Sequence, residues 1–545
     1  MNILDYFPME HPRPSQVEAL QFVEDAVAEG YKDIVLEVPT GGGKSAIGAA
    51  LCYWGVDYRL TLPPDSVLLS QPGGYYLVTQ KQLQEQIQKD VYSVYKRRNF
   101  QSLYSASGYA CESHISCQIG MRRRCRCLAE KRCCYQSDKA RFTMSEMSLT
   151  NYPYFITERT HVGKFQVRNV LVMDEVHTLE SQLLKIGDVE LSDFMLKDCG
   201  LRMTVPEVET KQEFADWLGT QYLPKLKARL AELNDTSDIS GGLDSADPDE
   251  EADLARSINT MENQVHAIET CITGILTRPD SWVYWQEHDE ELGNVAYCKP
   301  TDAAPYMATL RNSGVIRVYM SAYPGEKNAF CASLGLNPAT VAWLKVGSSF
   351  DKSRRPTLIG NVGSMSKANL DQSFEPVMRS STVIIDNFKN MKGLIHCHSY
   401  ALGKRAYDFL KKKYPGRSIL FHTNAEERQT VFDLHCSPES KDSIIISPSM
   451  TEGFDFKDDL ARWQIILKIP YPYLGDRVVA KKKELSNDWY AMQAVMKIIQ
   501  ASGRVCRSDE DWGVTYILDA DFESLYSRYR KMFPAWFTES IKYLG

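Results

Sequence analysis

Several short apolar runs along the chain end directly in polar residues, and they alternate with segments of helical pattern. Residues 34–36 lead into a glycine-rich loop, residues 170–173 end in two carboxylates, and another apolar run ends at Ser321. Short apolar runs bounded in this way are typical of buried strands. The first half of the chain is therefore predicted to contain an α/β sheet whose strands end in candidate functional residues.

Residues 351–545 repeat this alternation. Apolar strands with helices between them are predicted at residues 383–385, 393–396, 444–446, 464–467 and 514–518, which indicates a second parallel-sheet α/β unit. Residues 181–300 differ and are predicted to be helical. Apolar positions recur at helical spacing in residues 212–233 and 251–276, and the acidic stretch 234–250 between them cannot bury a core.

The first strand leads into a phosphate-binding pattern at residues 37–45, Glu-Val-Pro-Thr-Gly-Gly-Gly-Lys-Ser, which precedes a run of small residues. Three glycines without side chains allow backbone N–H groups to surround a polyphosphate at a helix N-terminus: Gly41, Gly42 and Gly43. Lys44 is predicted to contact the β- and γ-phosphates of the bound polyphosphate, and Ser45 to bind Mg²⁺. The alternative, a glycine-rich turn with a surface lysine, is disfavoured by the flanking strand and helix.

The second strand end carries Asp174 and Glu175, followed by His177. Asp174 is predicted to hold Mg²⁺ through water, and Glu175 to orient the water that attacks the γ-phosphate. His177 is predicted to couple this site to the second α/β unit. An acidic pair after a strand is common by itself, but the glycine loop upstream favours a nucleotide site.

Further candidates for the nucleotide site lie near both ends of the chain. Gln500, Arg504 and Arg507 are about one helical turn apart, so an arginine there can approach the γ-phosphate from a second domain. A surface helix with salt bridges is the alternative. Gln16 opens a helix about twenty residues before the first strand, and it either contacts the adenine or is an ordinary surface glutamine.

Thr79 and Gln80 follow the apolar run 75–78 and precede a polar helix start. This pattern is typical of a junction that places both side chains on a DNA backbone. A plain connection between a strand and a helix has a similar pattern, so both interpretations stay open.

Composition narrows the class of protein. The 545 residues, 43% of them hydrophobic, suffice for about three to four domains. The net charge of −7 does not exclude nucleic acid, because local clusters decide contacts with phosphate. No apolar run approaches the about 18 residues of a membrane span, and Asp5, Pro8 and Glu10 do not fit a signal peptide. A soluble, intracellular protein without a membrane partner is expected.

The chain has fourteen cysteines, and a disulfide framework is not expected in a reducing compartment. Eight are scattered singly, as buried structural cysteines are. Six lie close together: Cys111, Cys117, Cys125, Cys127, Cys133 and Cys134. Four thiolates suit either an iron–sulfur cluster or zinc. The basic residues among them either hold a DNA backbone or form a solvated loop: Arg122, Arg123, Arg124, Arg126, Lys131 and Arg132.

Four of these stretches together resemble the XPD/DinG family of superfamily 2 DNA helicases: residues 37–45, Asp-Glu-Val-His at 174–177, Ser-Ala-Tyr at 321–323 and residues 500–507. Further matches lie at residues 150–152, 393–399, 451–455 and 468–472. The chain departs from the usual pattern at Val38, Val176 and Tyr323, and also in the cysteine segment, where six cysteines are present for four ligand positions. Pro39-Thr40 is the loop variant of superfamily 2, which adds Thr40 to the candidate nucleotide-binding residues.

The resemblance implies two RecA-like lobes that bind ATP and Mg²⁺ between them, with two insertions in the first lobe. It places lobe 1 at 1–105, 141–180 and 301–350, lobe 2 at 351–545, an iron–sulfur insertion at 106–140 and a helical arch-like insertion at 181–300. Asp455 joins the expected nucleotide-binding residues. The family pattern also implies a [4Fe–4S] cluster, for which the expected ligands are Cys111, Cys117, Cys125 and Cys134. Cys127 and Cys133 are the alternates.

The resemblance further implies ATP-driven travel along single-stranded DNA in the 5′-to-3′ direction, with forked DNA as a partner. A DNA-binding scaffold or remodeller, whose ATPase changes its grip without separating strands, is the alternative. A nuclease is disfavoured, because the motifs and insertions leave no room for a nuclease domain.

Overall fold

A computed structural model describes residues 2–58, 70–95, 98–112, 114, 116–122, 125–163, 165–239, 248–347, 350–450, 454, 456–506 and 510–544. Within these ranges the strands form two seven-stranded sheets and one three-stranded sheet. The strands are β1 (Asp33–Glu37), β2 (Gln71–Val78), β3 (Phe100–Ser102), β4 (Met147–Asn151), β5 (Arg168–Asp174), β6 (Val189–Ser192), β7 (Trp282–Asp289), β8 (Gly293–Pro300), β9 (Gly314–Ser321), β10 (Val341–Lys345), β11 (Thr357–Gly363), β12 (Gly393–His396), β13 (Ile419–Phe421), β14 (Ile444–Ser447), β15 (Trp463–Ile466), β16 (Val514–Asp519) and β17 (Ile541–Tyr543).

Helices cover the sheets and connect their strands. They are α1 (Pro14–Ala28), α2 (Lys44–Asp57), α3 (Lys81–Ser93), α4 (Cys117–Arg122), α5 (Arg126–Ala129), α6 (Cys134–Met144), α7 (Tyr152–Thr157), α8 (Leu179–Leu184), α9 (Asp193–Asp198), α10 (Lys211–Trp217), α11 (Leu223–Ile239), α12 (Pro248–Thr277), α13 (Ala304–Arg311), α14 (Lys327–Ser333), α15 (Leu370–Asn387), α16 (Tyr400–Lys413), α17 (Arg428–Cys436), α18 (Arg477–Leu485), α19 (Asn487–Ser502), α20 (Asp521–Tyr529) and α21 (Ala535–Thr538). None of these described helices is long and apolar enough to cross a membrane.

The sheet of lobe 1 has the strand order β10-β1-β9-β5-β2-β4-β3, and its pairs are parallel. Strands β1 and β5 are buried along their whole length. This explains their continuous apolar runs, because a parallel sheet has both faces covered. Two separate hydrophobic clusters cover the two faces, one of them containing α1 and α2 and the other containing α7, α8 and α13.

The sheet of lobe 2 has the order β13-β14-β12-β15-β16-β11-β17 and is also parallel in its pairs. The two lobes confirm the predicted α/β class with two parallel sheets. The predicted strand at residues 383–385 is wrong, because these residues lie in α15. Val377, Ser381 and Ile384 are buried there while Val383 is 63% exposed, so one face of a long helix holds the apolar residues.

Residues 189–300, which we call the middle unit, lie between β5 and β9 of lobe 1. The expectation of helical content is incomplete there, since β6, β8 and β7 form an antiparallel sheet in that order. Helices α10 and α12 pack against this sheet around a separate core. The antiparallel hairpin formed by β7 and β8 was not predicted from the sequence. Only one face of these strands packs on the core, so buried and exposed residues are mixed along them and no continuous apolar run marks them.

Candidate nucleotide site and cysteine group

The carboxyl ends of β1, β9 and β5 meet at one edge of the lobe 1 sheet. The three strands are neighbours, and their register pairs Glu37 with Ser321 and Met320 with Asp174. Parallel strands bring the loops that follow them together at the same edge, which is where ligands bind in open α/β sheets. The phosphate loop and the acidic pair are therefore adjacent in space, although more than a hundred residues separate them in sequence.

The phosphate loop requires glycine at two of its positions. Gly41 and Gly43 have φ angles of 79° and 77°, a backbone conformation that favours glycine. A Cβ atom on Gly43 would lie 2.1 Å from Nε2 of Gln16. Gly43 is also the residue before α2, so the loop delivers its backbone N–H groups to the N-terminus of that helix.

Gln16 lies against the phosphate loop and is 1% exposed. Its Nε2 donates to the Gly43 carbonyl at 3.3 Å, and its Oε1 accepts a hydrogen bond from the Arg13 backbone N–H at 2.8 Å. The Arg13 guanidinium donates to the Gly41 carbonyl at 2.6 Å. The start of α1 therefore holds the loop in shape, and sequence reasoning missed the part that Arg13 takes in this.

Glu175 stands at the centre of the polar contacts. Lys44 Nζ lies 3.5 Å from Glu175 Oε1, and His177 Nδ1 lies 3.3 Å from Glu175 Oε2 and 3.1 Å from Ser321 Oγ. Burial opposes ionisation of Glu175, yet the charge of Lys44 and the hydrogen bond from His177 hold its pKa below the usual range. Glu175 is thus an ionised carboxylate with one oxygen beside the Lys44 ammonium.

Asp174 is 2% exposed and is held from two sides. Tyr76 donates to its carboxylate at 2.9 Å, and Tyr152 donates to its backbone carbonyl at 2.8 Å. Burial and the neighbouring Glu175 charge raise the pKa of Asp174 to about 6. A buried carboxylate and the Ser45 hydroxyl line the same cavity and are hard oxygen ligands, so this donor set fits Mg²⁺. Neither contact was predicted from the sequence: Tyr76 lies in an apolar run without a motif, and Tyr152 ends the match at residues 150–152, to which no role was given.

A cavity of about 470 Å³ lies between the lobes and is lined by residues of both. Lobe 1 contributes Gln16, Thr40, Gly41, Gly43, Lys44, Ser45, Asp174, Glu175 and His177, and lobe 2 contributes Gln500 and Arg504. Gly42 lies in the same loop, where a Cβ atom would meet the Val38 side chain at 2.6 Å. The predicted Arg507 and Asp455 lie outside the described residues.

The lobes touch directly beside this cavity. Thr40 Oγ1 donates to the Gly503 carbonyl at 3.4 Å, and a Cβ atom on Gly503 would lie 2.6 Å from that hydroxyl. One guanidinium nitrogen of Arg504 donates to the Phe454 carbonyl at 2.8 Å. The charge of Arg504 contributes to the low pKa of Glu175, so the arginine is electrostatically part of the site.

A second cavity of about 310 Å³ lies at the carboxyl ends of β12, β14 and β15, with Gln80 of lobe 1 at its edge. Its lining includes His396, His398, Arg428, Ser449, Lys468 and Lys497. His396 Nδ1 and Ser449 Oγ are buried and have no hydrogen-bond partner among the described residues. Burial, with the nearby charges of Lys497 and Lys468, lowers the pKa of His398 to about 4. The cavity therefore combines lysine charge with buried polar atoms.

Sequence reasoning missed this second cavity. His396 ends the predicted strand 393–396, and Lys468 follows the predicted strand 464–467. A polar or basic residue at the carboxyl end of a parallel strand is the signal that could have found both.

The cysteine segment, residues 106–140, brings three thiols together. The sulfur atoms of Cys111, Cys125 and Cys127 lie within 4.8 Å of one another, and Cys127 is 2% exposed. A Cβ atom on Gly120 would lie 2.7 Å from the Cys111 sulfur and 3.0 Å from the Cys125 sulfur. Glycine at this position leaves room for the thiols, and the donor set suits zinc or an iron–sulfur cluster.

The remaining cysteines of the segment divide into two kinds. Cys117 and Cys133 are buried beside the group, and burial together with the Cys133 thiol raises the pKa of Cys117 to about 11. Cys134 is exposed at the start of α6. The structure thus gathers Cys111 and Cys125 of the expected set with the alternate Cys127, and it leaves Cys134 outside the group.

The basic residues of this segment are partly paired with acids. Arg126 Nε lies 2.5 Å from Glu130 Oε1, and Arg132 contacts Glu112 at 2.7 Å and Glu130 at 2.6 Å. These two arginines fit the solvated-loop interpretation, because their charge is offset locally. Arg123, Arg124 and the side chain of Arg122 lie outside the described part of the chain.

Comparison with known proteins identifies two family models along the chain. Residues 384–540 match the helicase C-terminal domain, and residues 9–204 match the res subunit of type III restriction enzymes. The first match covers most of lobe 2. The second covers the phosphate loop, the acidic pair and the cysteine segment.

Curated relatives match over shorter stretches. A "Regulator of telomere elongation helicase 1 homolog" from Caenorhabditis elegans is 36% identical over 108 residues, which cover 17% of this chain and 11% of that protein. The "General transcription and DNA repair factor IIH helicase subunit XPD/RAD3" from Saccharomyces cerevisiae is 23% identical over 211 residues, which cover 36% of this chain and 25% of that protein. The chain thus spans a quarter or less of the length of these two relatives.

Solved structures match over nearly the whole chain. A structure named "XPD_Helicase" has a TM-score of 0.63 at 16% identity, covering 98% of this chain and 100% of that one. The structure of S. tokodaii Xpd4 has a TM-score of 0.57 at 13% identity, with coverage of 98% and 100%. At these identities the likeness concerns the fold, which is the same two-lobed arrangement.

The chain has two parallel-sheet lobes, in which a glycine loop and an acidic pair face an arginine across a cavity, and lobe 2 matches the helicase C-terminal domain; these features define a two-lobed helicase-like protein. With the family models and relatives above, the chain is similar to the XPD-like helicases of superfamily 2.

Proposed function

We propose that this chain hydrolyses ATP between its two lobes and uses the energy to move along single-stranded DNA and separate the strands of forked DNA. The observation that carries the proposal is the cavity of about 470 Å³ that Lys44 and Glu175 of lobe 1 share with Arg504 of lobe 2. A nucleotide bound there touches both lobes, so its hydrolysis changes the contact between them.

On lobe 1, Lys44 and the loop N–H groups bind the phosphates, which replace Glu175 as the partner of Lys44. Ser45 and Asp174 would hold Mg²⁺, which neutralises phosphate charge when it is bound. Glu175 then turns to the attacking water and orients it, and His177 holds the other carboxylate oxygen in place at 3.3 Å.

On lobe 2, Arg504 is proposed to stabilise the charge that develops on the γ-phosphate, and Gln500 to line the same cavity beside it. The hydrogen bond from Arg504 to the Phe454 carbonyl keeps the guanidinium at the lobe interface. Loss of the γ-phosphate removes a shared ligand of the two lobes and lets them separate, which is the proposed step of movement.

The second cavity is proposed to hold a backbone phosphate of the single strand. Lys468 and Lys497 supply positive charge, and the buried Ser449 hydroxyl and His396 Nδ1 supply polar atoms. Gln80 borders both cavities, so a strand bound in the second cavity would lie next to a nucleotide bound in the first. The direction of travel, 5′ to 3′, is proposed from the family resemblance.

The cysteine segment is proposed to bind a [4Fe–4S] cluster beside the proposed path of the DNA. Cys111, Cys125 and Cys127 would hold it, with Cys117 or Cys133 as the fourth ligand. The cluster would have a structural role, because metal ligation stabilises a segment of three short helices that has little apolar material of its own.

The deciding experiment is strand displacement on forked duplexes with either a 5′ or a 3′ single-stranded tail. ATP-dependent displacement of the 5′-tailed substrate, absent in the Lys44→Ala variant, is the expected result. ATP hydrolysis that is stimulated by single-stranded DNA without displacement of any duplex would instead establish the scaffold or remodeller.

The identity of the metal has its own measurement. Anaerobically purified protein is expected to contain about four iron atoms per chain and to absorb visible light as iron–sulfur proteins do. Zinc without iron would contradict the cluster.

A further inference from the structure

Helix α18 of lobe 2 contacts both lobe 1 and the middle unit. Its Lys482 ammonium pairs with the carboxylate of Glu180 in α8 of lobe 1. At its first residue, the Arg477 guanidinium lies 5.6 Å from the centre of the Trp285 ring in β7. A helix of nine residues thus joins lobe 2 to two other parts of the molecule.

The contact with lobe 1 is largely withdrawn from water. The side chains of Lys482 and Glu180 are 8% and 15% exposed. Trp489 Nε1 donates to the second carboxylate oxygen of Glu180 at 2.9 Å, and Lys482 Nζ lies 4.3 Å from the centre of the Trp489 ring. Breaking such a pair leaves a partly buried charge, so the contact resists separation more than a surface pair does.

Glu180 lies close to the nucleotide site along the chain. It is in the first turn of α8, which begins at Leu179 shortly after Glu175 and His177. Glu180 itself does not line the nucleotide cavity. It is therefore a positioning residue, which ties the end of the acidic motif to lobe 2.

The contact with the middle unit engages a supported ring. Trp285 stacks on Tyr297 of β8, with ring centres 4.7 Å apart and an angle of 12° between the planes. Lys299 Nζ lies 5.5 Å from the centre of the Tyr297 ring and 3.3 Å from Asp188 Oδ1. Arg477 thus contacts a hairpin that is braced across its two strands.

Helix α18 is firmly part of lobe 2. Asp476 caps it by accepting hydrogen bonds from the N–H groups of Val478 at 2.8 Å and Val479 at 3.1 Å. Lys483 Nζ lies 5.0 Å from the Tyr490 ring of α19. Helix α19 carries Gln500, and Arg504 follows its end. Movement of lobe 2 therefore moves Arg477, Lys482 and the nucleotide-facing residues as one body.

We propose that α18 couples the nucleotide site to the middle unit, so that movement of lobe 2 on ATP binding displaces the β7–β8 hairpin. This inference rests on the proposed ATP-driven movement of the lobes. The pair between Lys482 and Glu180 links α18 to lobe 1. The contact between Arg477 and Trp285 transmits the movement of α18 to the hairpin.

Hydrogen exchange of the full chain, with and without a non-hydrolysable ATP analogue, tests this coupling directly. In the wild type, amides of the β7–β8 hairpin are expected to change their exchange rate at least about threefold when the analogue binds. The change is expected to disappear in Arg477→Ala and in Lys482→Met, and to persist in Lys483→Ala, the matched control on the same helix.

Two results would overturn the coupling. One is a hairpin that responds to nucleotide equally in Arg477→Ala, Lys482→Met and the wild type. The other is a wild-type hairpin that does not respond although protection of the phosphate loop shows that the analogue is bound.

A strand-displacement assay supplies a second measurement. Trp285→Ala and Arg477→Ala are expected to lower the number of base pairs opened per ATP about fivefold, with DNA-stimulated ATP turnover kept within about twofold. The double variant is expected to be no worse than either single variant, because both remove the same contact. Additive losses, or wild-type coupling in both single variants, would contradict the inference.

The two measurements separate this inference from the proposed function. If the wild type opens no duplex, the proposed function fails, and hydrogen exchange still decides whether α18 transmits the nucleotide state.

Discussion

The nucleotide site and the cysteine group differ in how their residues are held. In the nucleotide site, the phosphate loop, the acidic pair and Ser321 each lie at the carboxyl end of a strand of one sheet, and the register of β1, β9 and β5 aligns these ends. In the cysteine segment, Cys111 lies in the loop before α4, and the other thiols lie on or between the three short helices α4, α5 and α6. The first arrangement follows from sheet topology, whereas the second depends on how loops pack.

This difference explains why the sequence predicted individual residues of the nucleotide site but left the choice among six cysteines open. Strand ends in a parallel sheet converge on one edge, so a residue at such an end has a known neighbourhood. Cysteines in loops have no such rule. Neighbouring Cys133 and Cys134 have opposite environments, one buried and one exposed, because the start of α6 turns one side chain inward.

The largest effect is expected in the nucleotide site, from Lys44→Ala. Loss of the phosphate-binding charge should lower DNA-stimulated ATP turnover by about a thousandfold, because the developing charge on the γ-phosphate loses its nearest cation. A steady-state ATPase assay measures this. Substantial ATP turnover in the variant would contradict the proposal that the nucleotide site between the lobes is the catalytic site.

Glu175→Gln should act on hydrolysis and spare binding. Glutamine keeps the size of the side chain but cannot accept a proton from water, so turnover should fall about a hundredfold. The dissociation constant for ATP should stay within about threefold, because Lys44 and the loop still bind the phosphates. Equilibrium binding of a fluorescent ATP analogue checks this. Parallel loss of binding and hydrolysis would contradict the role of Glu175.

A smaller effect is expected across the interface, from Arg504→Lys. Charge is kept but the planar fork is lost, so turnover should fall about tenfold. Arg379→Lys, at an exposed position of α15 in lobe 2 that lines neither cavity, is the matched control for ATP turnover. A wild-type rate in Arg504→Lys would show that the arginine only shapes the lobe interface.

The smallest effect on ATP turnover is expected from substitutions in the cysteine group, where a buried and an exposed thiol can be compared by metal content. Cys127→Ser removes a buried thiol of the group and is expected to lower bound metal per chain to below about half of the wild-type content. Cys134→Ser removes an exposed thiol and is expected to keep the full content. Metal analysis of both purified variants decides the matter. The reverse result would restore Cys134 as a ligand.

Much of the fold and most of the nucleotide site were predictable from sequence. The strands that end at Glu37 and Asp174 are continuous apolar runs, because both faces of a parallel sheet are covered. The loop residues between Thr40 and Ser45 follow from the need to surround phosphate with backbone N–H groups. The strand predicted at residues 383–385 is wrong, because a run of three apolar residues fits either a strand or part of a helix such as α15.

The amino-acid sequence by itself determined the two α/β lobes, the phosphate loop and the acidic pair, since each is a local pattern that one strand and its loop complete. Only the tertiary structure decided which thiols meet, that Tyr76 and Tyr152 hold Asp174, and that α18 reaches both Glu180 and Trp285. Such contacts join residues far apart in the chain, and their formation depends on how separately folded units pack against one another.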